Sequence, residues 1–153
     1  MKRRIIVCGS RDFNDKKTVF DMLDVLRETF REYPADDEIV TGGARGADAL
    51  AAEYAKEYGL GLTVFPADWK RYGKTAGPIR NREMLDYAMQ TMKPLVIAFW
   101  NGRSRGTAQM LELAKRNGLT YMTVSMKTEI VEEYEEYEQD GGIENECDVR
   151  GSK

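Results

Sequence analysis

Two segments of the chain combine glycine, arginine and a hydroxyl in an order suited to holding phosphate: Thr41-Gly42-Gly43-Ala44-Arg45-Gly46-Ala47-Asp48 and Asn101-Gly102-Arg103-Ser104-Arg105-Gly106-Thr107. Glycine lets backbone N–H groups approach a ligand, a following helix offers its positive N-terminus, and arginine supplies a planar fork of donors matched to phosphate oxygens. The N–H groups of Gly42 to Gly46 and of Gly106 to Thr107 are expected to hold phosphates, with Thr107 capping its helix and adding a hydroxyl. The first turn departs from the dinucleotide pattern GxGxxG and lacks the lysine of a P-loop. Alone it is equally a tight strand-to-helix connection in which Asp48 complements the helix dipole. A second turn of similar composition makes the ligand reading the stronger one.

Other cations add to this picture. Pro78-Ile79-Arg80-Asn81-Arg82-Glu83 opens a third helix with two arginines, where cations oppose the macrodipole at roughly 0.3–1 kcal/mol each when exposed. Such a placement invites an anionic partner, the plain alternative being pairing with Glu83 or Asp86. Gly9-Ser10-Arg11 follows the first strand-like run. In the loop Asp68-Trp69-Lys70-Arg71-Tyr72-Gly73-Lys74, Trp69 or Tyr72 is placed to cover a nucleobase, or Trp69 only shields a sheet edge.

Composition narrows the chemistry. The chain has 153 residues and no histidine, which removes Ser-His-Asp and Cys-His sites and any His-ligated metal. Cys8 and Cys147 are far apart and belong to no metal-ligand spacing, so neither a metal nor another cofactor is expected. The net charge of −3 hides an asymmetry: residues 127–153 hold ten acidic and three basic side chains, net −7, leaving residues 1–126 with sixteen acidic and twenty basic, net +4. A cationic body suits anionic ligands, but a charge this modest, without a lysine-rich stripe, argues against a duplex nucleic-acid surface. No apolar stretch reaches the roughly 18 residues of a membrane span, and the apolar run after Lys2-Arg3-Arg4 is too short for a signal peptide. A cytoplasmic protein without membrane contact is expected.

The elements that must position these residues show in the apolar periodicity, which switches between two and about 3.6 in regular order. Strands are predicted at Arg4–Cys8, Glu38–Thr41, Leu62–Phe65, Leu95–Trp100 and Tyr121–Val124. Helices are predicted at Lys16–Glu32, Ala47–Tyr58, Pro78–Thr91 and Thr107–Asn117. This alternation predicts an α/β, Rossmann-like three-layer fold with a mainly parallel sheet of about five strands. Ligands of such sheets sit beyond the carboxyl ends of the strands, where strand order reverses, and both glycine-rich turns belong to that end. Residues 1–126 form the expected nucleotide-ligand domain. Residues 127–153 form an acidic C-terminal segment, expected to be helical to about Gln139 and disordered from Asp140.

The order of four motifs, Val7-Cys8-Gly9-Ser10-Arg11-Asp12, Thr41 to Asp48, Pro78-Ile79-Arg80-Asn81-Arg82-Glu83-Met84 and Ser104-Arg105-Gly106-Thr107, resembles the SLOG superfamily, in particular its YspA-like group with a DUF2493 domain. The resemblance spans about residues 4 to 125. It implies a Rossmann-like sheet and a ligand of nucleotide type, since SLOG relatives include cytokinin-activating phosphoribohydrolases, DNA-processing proteins and sensors of NAD-derived or cyclic nucleotide signals. Many relatives are dimers or larger, so a homo-oligomer is expected. In the phosphoribohydrolase branch an arginine and a glutamate act on the N-glycosidic bond. Arg80 matches that arginine, whereas the glutamate position falls on Gln109, leaving Glu83 and Glu112 as candidate carboxylates.

The leading expectation is a small-molecule site for a nucleoside phosphate, an ADP-ribose- or NAD-like molecule or a cyclic nucleotide, for sensing or sequestration. Gly9, Ser10, Arg11, Gly42, Gly43, Arg45, Gly46, Asp48, Trp69, Tyr72, Arg80, Asn81, Arg105, Gly106 and Thr107 are its candidate residues. The enzymatic alternative is an N-glycoside hydrolase of nucleoside monophosphates using Arg80 with Glu83 or Glu112. Single-stranded nucleic-acid binding is the third.

Overall fold

A computed structural model describes residues 2–31 and 36–126; the expectations for residues 127–153 lie outside them. The first structural determinant is electrostatic. Strand β1 (Lys2–Gly9) pairs in parallel with β2 (Asp36–Thr41) so that Lys2 faces Asp36, Arg3 faces Asp37 and Arg4 faces Glu38. Three cations thus meet three carboxylates in register, and a one-residue slip would both misalign the charges and turn each side chain to the opposite face.

Three further strands, β3 (Gly61–Val64), β4 (Leu95–Trp100) and β5 (Thr120–Ser125), complete an all-parallel sheet in the order β3-β2-β1-β4-β5. Helices α1 (Lys16–Thr29) and α2 (Ala47–Glu57) cover one face, burying Val19, Leu23, Leu26, Ala51 and Tyr54 against Ile5, Val7, Ile39 and Ile97. On the other face Met84, Leu85, Met110 and Leu113, from helices α4 (Ala76–Ala88) and α5 (Arg105–Arg116), pack on Ile6, Val40, Val96 and Ala98. The fold is therefore Rossmann-like α/β. No helix among the described residues is long and apolar enough to cross a membrane.

Element ends differ from the periodicity in instructive ways. β1 starts at Lys2 rather than Arg4 because cross-strand ion pairs, not apolar burial, hold its first turn of pleat. α1 ends at Thr29, where the N–H of its C-cap Phe30 donates to Leu26 O. The stretch from Pro66 to Gly77 is not one loop: it holds a single helical turn, α3 (Trp69–Tyr72), capped by Asp68 Oδ1 accepting from Arg71 N at 3.1 Å, then a 3-10 turn (Gly73–Thr75). α4 follows directly and starts two residues before Pro78.

At the amino ends of the strands the charges form one network on each face. On the α1 side Arg3 grips Asp37 through Nε and Nη2 at 2.9 and 3.1 Å, and Arg27 Nε reaches Asp37 at 2.8 Å. Burial, with the hydrogen bond from the Tyr54 hydroxyl to Asp24, pushes that phenol up to about 12. On the α4 side Glu38, 4% exposed, accepts from Arg4 Nε, Thr63 Oγ1 and Tyr87 Oη. Burial alone would raise its pKa, but these donors and the Arg4 charge outweigh burial and hold the carboxyl below its ordinary 4.5. A depressed carboxyl contributes stability that is complete above its unfolded pKa and is lost as pH falls through the folded one. Denaturant midpoints of wild type and Glu38→Gln should therefore converge as pH drops from about 5 to about 3, the wild type losing more; parallel losses would contradict this role.

Candidate functional site

Strand order reverses between β1 and β4, since the chain runs outward from β1 to β3 on one side and from β4 to β5 on the other. A crevice forms beyond the carboxyl ends at such a point. Here it is a cavity of about 660 Å³, walled by Cys8 to Asp12 at the end of β1, Gly42 and Ala44 after β2, Gly77, Pro78, Arg80, Asn81 and Met84 of α4, and Asn101 with Ser104 to Thr107 after β4. A smaller hollow of about 300 Å³ adjoins it, sharing Arg11, Gly42, Ala44, Trp69 and Arg80 and adding Gly43, Arg45, Pro66 and Ala67.

The walls are built by backbone-side chain ties that the sequence encodes locally. Asn101 Oδ1 accepts from Arg103 N and Ser104 N at 2.8 and 2.9 Å, an Asx turn that bends the chain straight into α5. Asn101 N in turn donates to Ser10 Oγ at 2.9 Å, joining the β1 and β4 loops. Ser104, not Thr107, caps α5: its Oγ accepts from Thr107 N and lies 3.0 Å from Thr107 Oγ1. That leaves the N–H groups of Arg105 and Gly106 without a hydrogen bond among the described residues, at a helix end that lines the cavity. The first glycine turn behaves differently. Asp48 Oδ2 takes the N–H groups of Gly42 and Ala44 at 3.2 and 3.1 Å, so these two donors, expected to hold phosphate, are already occupied.

Arg80 is the best-anchored cation of the site. Its Nη1 donates to Gly42 O at 2.8 Å and Phe65 O at 3.3 Å, and its Nε donates to Asn81 Oδ1 at 3.1 Å. Asn81, 5% exposed, spends its amide on Gly106 O and Gln109 Oε1, tying α4 to the α5 turn. Gly42 is required where it stands, because a Cβ there would overlap the Arg80 guanidinium. Its backbone does not need a positive φ, and the group displaced is the end of a flexible side chain. Gly42→Ala should therefore lower the unfolding free energy by no more than about 2 kcal/mol in a melt, while weakening anion binding about tenfold or more in calorimetry. Unchanged affinity would show that the Arg80 position is immaterial.

Among the described residues, none of Arg11, Arg45, Arg80 and Arg105 forms an ion pair. Arg11, Arg80 and Arg105 line the larger cavity, and Arg45 joins Arg11 and Arg80 around the smaller hollow. By contrast Arg82 pairs with Asp86 at 3.2 Å and Arg116 with Glu112 at 3.4 Å, the ordinary fate of exposed helix charges. Gly9, Ser10, Gly42, Asp48, Trp69, Asn81, Gly106 and Thr107 also line the cavity, and Gly43 lines the hollow. Gly46, Tyr72, Glu83 and Glu112 line neither. Gly46 works from behind: at φ 74° it lets the turn pass against the carbonyls of Ser10 and Arg11. Tyr72 instead lies under Arg71, 5.1 Å from guanidinium to ring.

Cys8, Asp12, Lys74, Met84, Asn101 and Gln109 also line the cavity; each lies within or beside a motif that the sequence singled out, but none was among the candidate ligand-binding residues. Burial, reinforced by the Asp48 charge and opposed by Arg80, pushes the Cys8 thiol up and favours its neutral form.

Residues 3–72 match the YAcAr family, described as the YspA, cpYpsA-related SLOG family. The chain is also 35% identical over 122 residues to the Gene 61 protein of Mycobacterium phage D29, an alignment covering 76% of this chain and 92% of that protein. The chain belongs to the YspA, cpYpsA-related SLOG family. The matched part of this SLOG domain carries β1 from Arg3 onward, α1, β2, α2, β3 and α3, hence the wall residues Gly9 to Arg11, Gly42, Ala44 and Asp48; Arg80 and the α5 turn lie beyond it. No solved structure matches the chain.

Proposed function

We propose that this SLOG domain binds a nucleotide-derived phosphorylated ligand, a nucleoside phosphate, an ADP-ribose- or NAD-like molecule or a cyclic nucleotide, for sensing or sequestration. The observation that carries the reading is the gathering of Arg11, Arg80 and Arg105, none in an ion pair among the described residues, around one cavity of about 660 Å³, with Arg45 beside it. Unpaired guanidinium groups sharing a concave wall repel one another until an anion arrives, and the volume falls within the range usual for small-molecule sites. In this reading Arg105, Gly106 and the α5 N-terminus take a phosphate, Arg80 and Arg11 neutralise it, and Trp69, half-exposed at the rim, covers a base. Family membership supports the same ligand class.

The geometry favours binding over N-glycoside cleavage. Glu83 and Glu112 stand outside the cavity, and the described carboxylates on its wall are Asp12 and Asp48. Calorimetry against NAD, ADP-ribose, nucleoside monophosphates and cyclic dinucleotides tests the proposal: at least one should bind, and silence across the panel with folded protein would overturn it.

A further inference from the structure

Asp48 is out of place in a wall of cations. It is 6% exposed, stands in the first turn of α2 and lines the cavity. Its Oδ2 is fully engaged by Gly42 N and Ala44 N, yet Oδ1 has no hydrogen bond, and no cation lies within ion-pair distance among the described residues. Arg80 is close by but differently attached: it donates to the carbonyl of the same Gly42 whose N–H serves Asp48. One peptide residue thus holds an acceptor and a cation side by side without letting them neutralise each other.

A carboxylate oxygen on the cavity wall with no protein donor is open to one brought by a ligand. A fully ionised phosphate cannot supply it, since it has no proton to donate and carries the same sign of charge. A hydroxyl can, and the adjoining Arg80 requires that the same molecule present an anion nearby. Phosphate and hydroxyl held a few ångströms apart on one small molecule describe a pentose phosphate, the sugar portion of a ribonucleotide. We infer that Asp48 Oδ1 accepts a hydrogen bond from a ribose hydroxyl of the ligand, so that the site selects ribonucleotides over their deoxy counterparts and over bare phosphate; this rests on the reading of the cavity as a nucleotide site.

Two neighbours do not fill the role. Asp12 is exposed and already within reach of Asn101 Nδ2 at 3.4 Å, and Cys8 offers only a neutral thiol. Burial pushes the Asp48 carboxyl upward, while the N–H groups of Ala44 and Gly42 and the charges of Arg80 and Arg11 oppose it. A hydroxyl donor at Oδ1 would act with those opposing groups and favour the ionised form.

The test uses AMP, 2′,3′-dideoxy-AMP and inorganic phosphate as probes, titrated into the wild type and Asp48→Asn. In the variant the amide oxygen can keep Gly42 N and Ala44 N, while the amide nitrogen replaces Oδ1, turning acceptor into donor and removing the charge. The wild type should bind AMP about tenfold or more tightly than the dideoxy compound. Asp48→Asn should lose that preference and bind inorganic phosphate more tightly than the wild type does. Uniform weakening of all three probes by Asp48→Asn would reduce Asp48 to a turn-holding residue and overturn the inference. Equal wild-type affinity for AMP and its dideoxy form would overturn it while the anion site stands, and this comparison decides even if the variant does not fold. If neither nucleotide nor any member of the calorimetric panel binds, the inference falls together with the reading beneath it.

Discussion

Arg80→Ala is expected to weaken binding of the phosphorylated ligand about a hundredfold or more, the largest effect of any single substitution in the cavity. Three anchoring hydrogen bonds, to Gly42 O, Phe65 O and Asn81 Oδ1, fix this guanidinium, so its ordering is complete before the ligand arrives. Arg11, Arg45 and Arg105 are exposed and lack such anchors, and each should cost less when truncated. Arg80→Lys should recover only part of the loss, because an ammonium can neutralise charge but cannot serve two carbonyls, Asn81 and an anion in one plane. Circular dichroism on the same samples separates lost binding from lost fold, since Gly42 O and Phe65 O also lose their donor. Affinity within threefold of wild type for folded Arg80→Ala would remove Arg80 from the site.

The second large effect is on stability. Asp37 is held by two guanidinium groups, Arg3 and Arg27, with side-chain exposures of 3% for the carboxylate and 8% and 21% for its partners. Asp37→Ala strands both cations in the interior and should cost about 3–5 kcal/mol in denaturant unfolding, enough to threaten a domain of ordinary stability. Replacing all three with apolar residues of similar volume should recover much of that loss, because the penalty comes from the unpaired charges rather than from the missing attraction. A cost under about 1 kcal/mol for Asp37→Ala would mean that water reaches the pair.

The parallel sheet was legible in the chain because its five strands are apolar runs and its long helices keep a clear 3.6-residue face. Val19, Leu23 and Leu26 are buried on α1 as their spacing predicts, and Ala51, Tyr54 and Ala55 on α2. What periodicity could not show is where polar forces decide. Lys2 and Arg3 lengthen β1 because of carboxylates more than thirty residues away, and a one-turn helix such as Trp69–Tyr72 is too short to display a period. In the cavity the glycine turns and Arg80 could be picked out by composition. The division of labour could not: that Gly42 and Ala44 spend their N–H groups on Asp48, that Ser104 rather than Thr107 caps α5, or that Asn101 ties two loops together depends on contacts between distant segments. Helix phase explains Glu83 as well, since Arg80, Asn81 and Met84 share the cavity side of α4 and Glu83 falls outside it.

The place where a nucleotide binds is the decisive observable. Backbone amide shifts, followed by NMR as the tightest binder of the calorimetric panel is titrated in, should move at Ser10, Arg11, Gly42, Ala44, Arg105 and Gly106. Shifts gathered instead at the opposite end of the sheet, around Arg3, Leu95, Asn117 and Thr120, where a second cavity of about 490 Å³ opens, would contradict it.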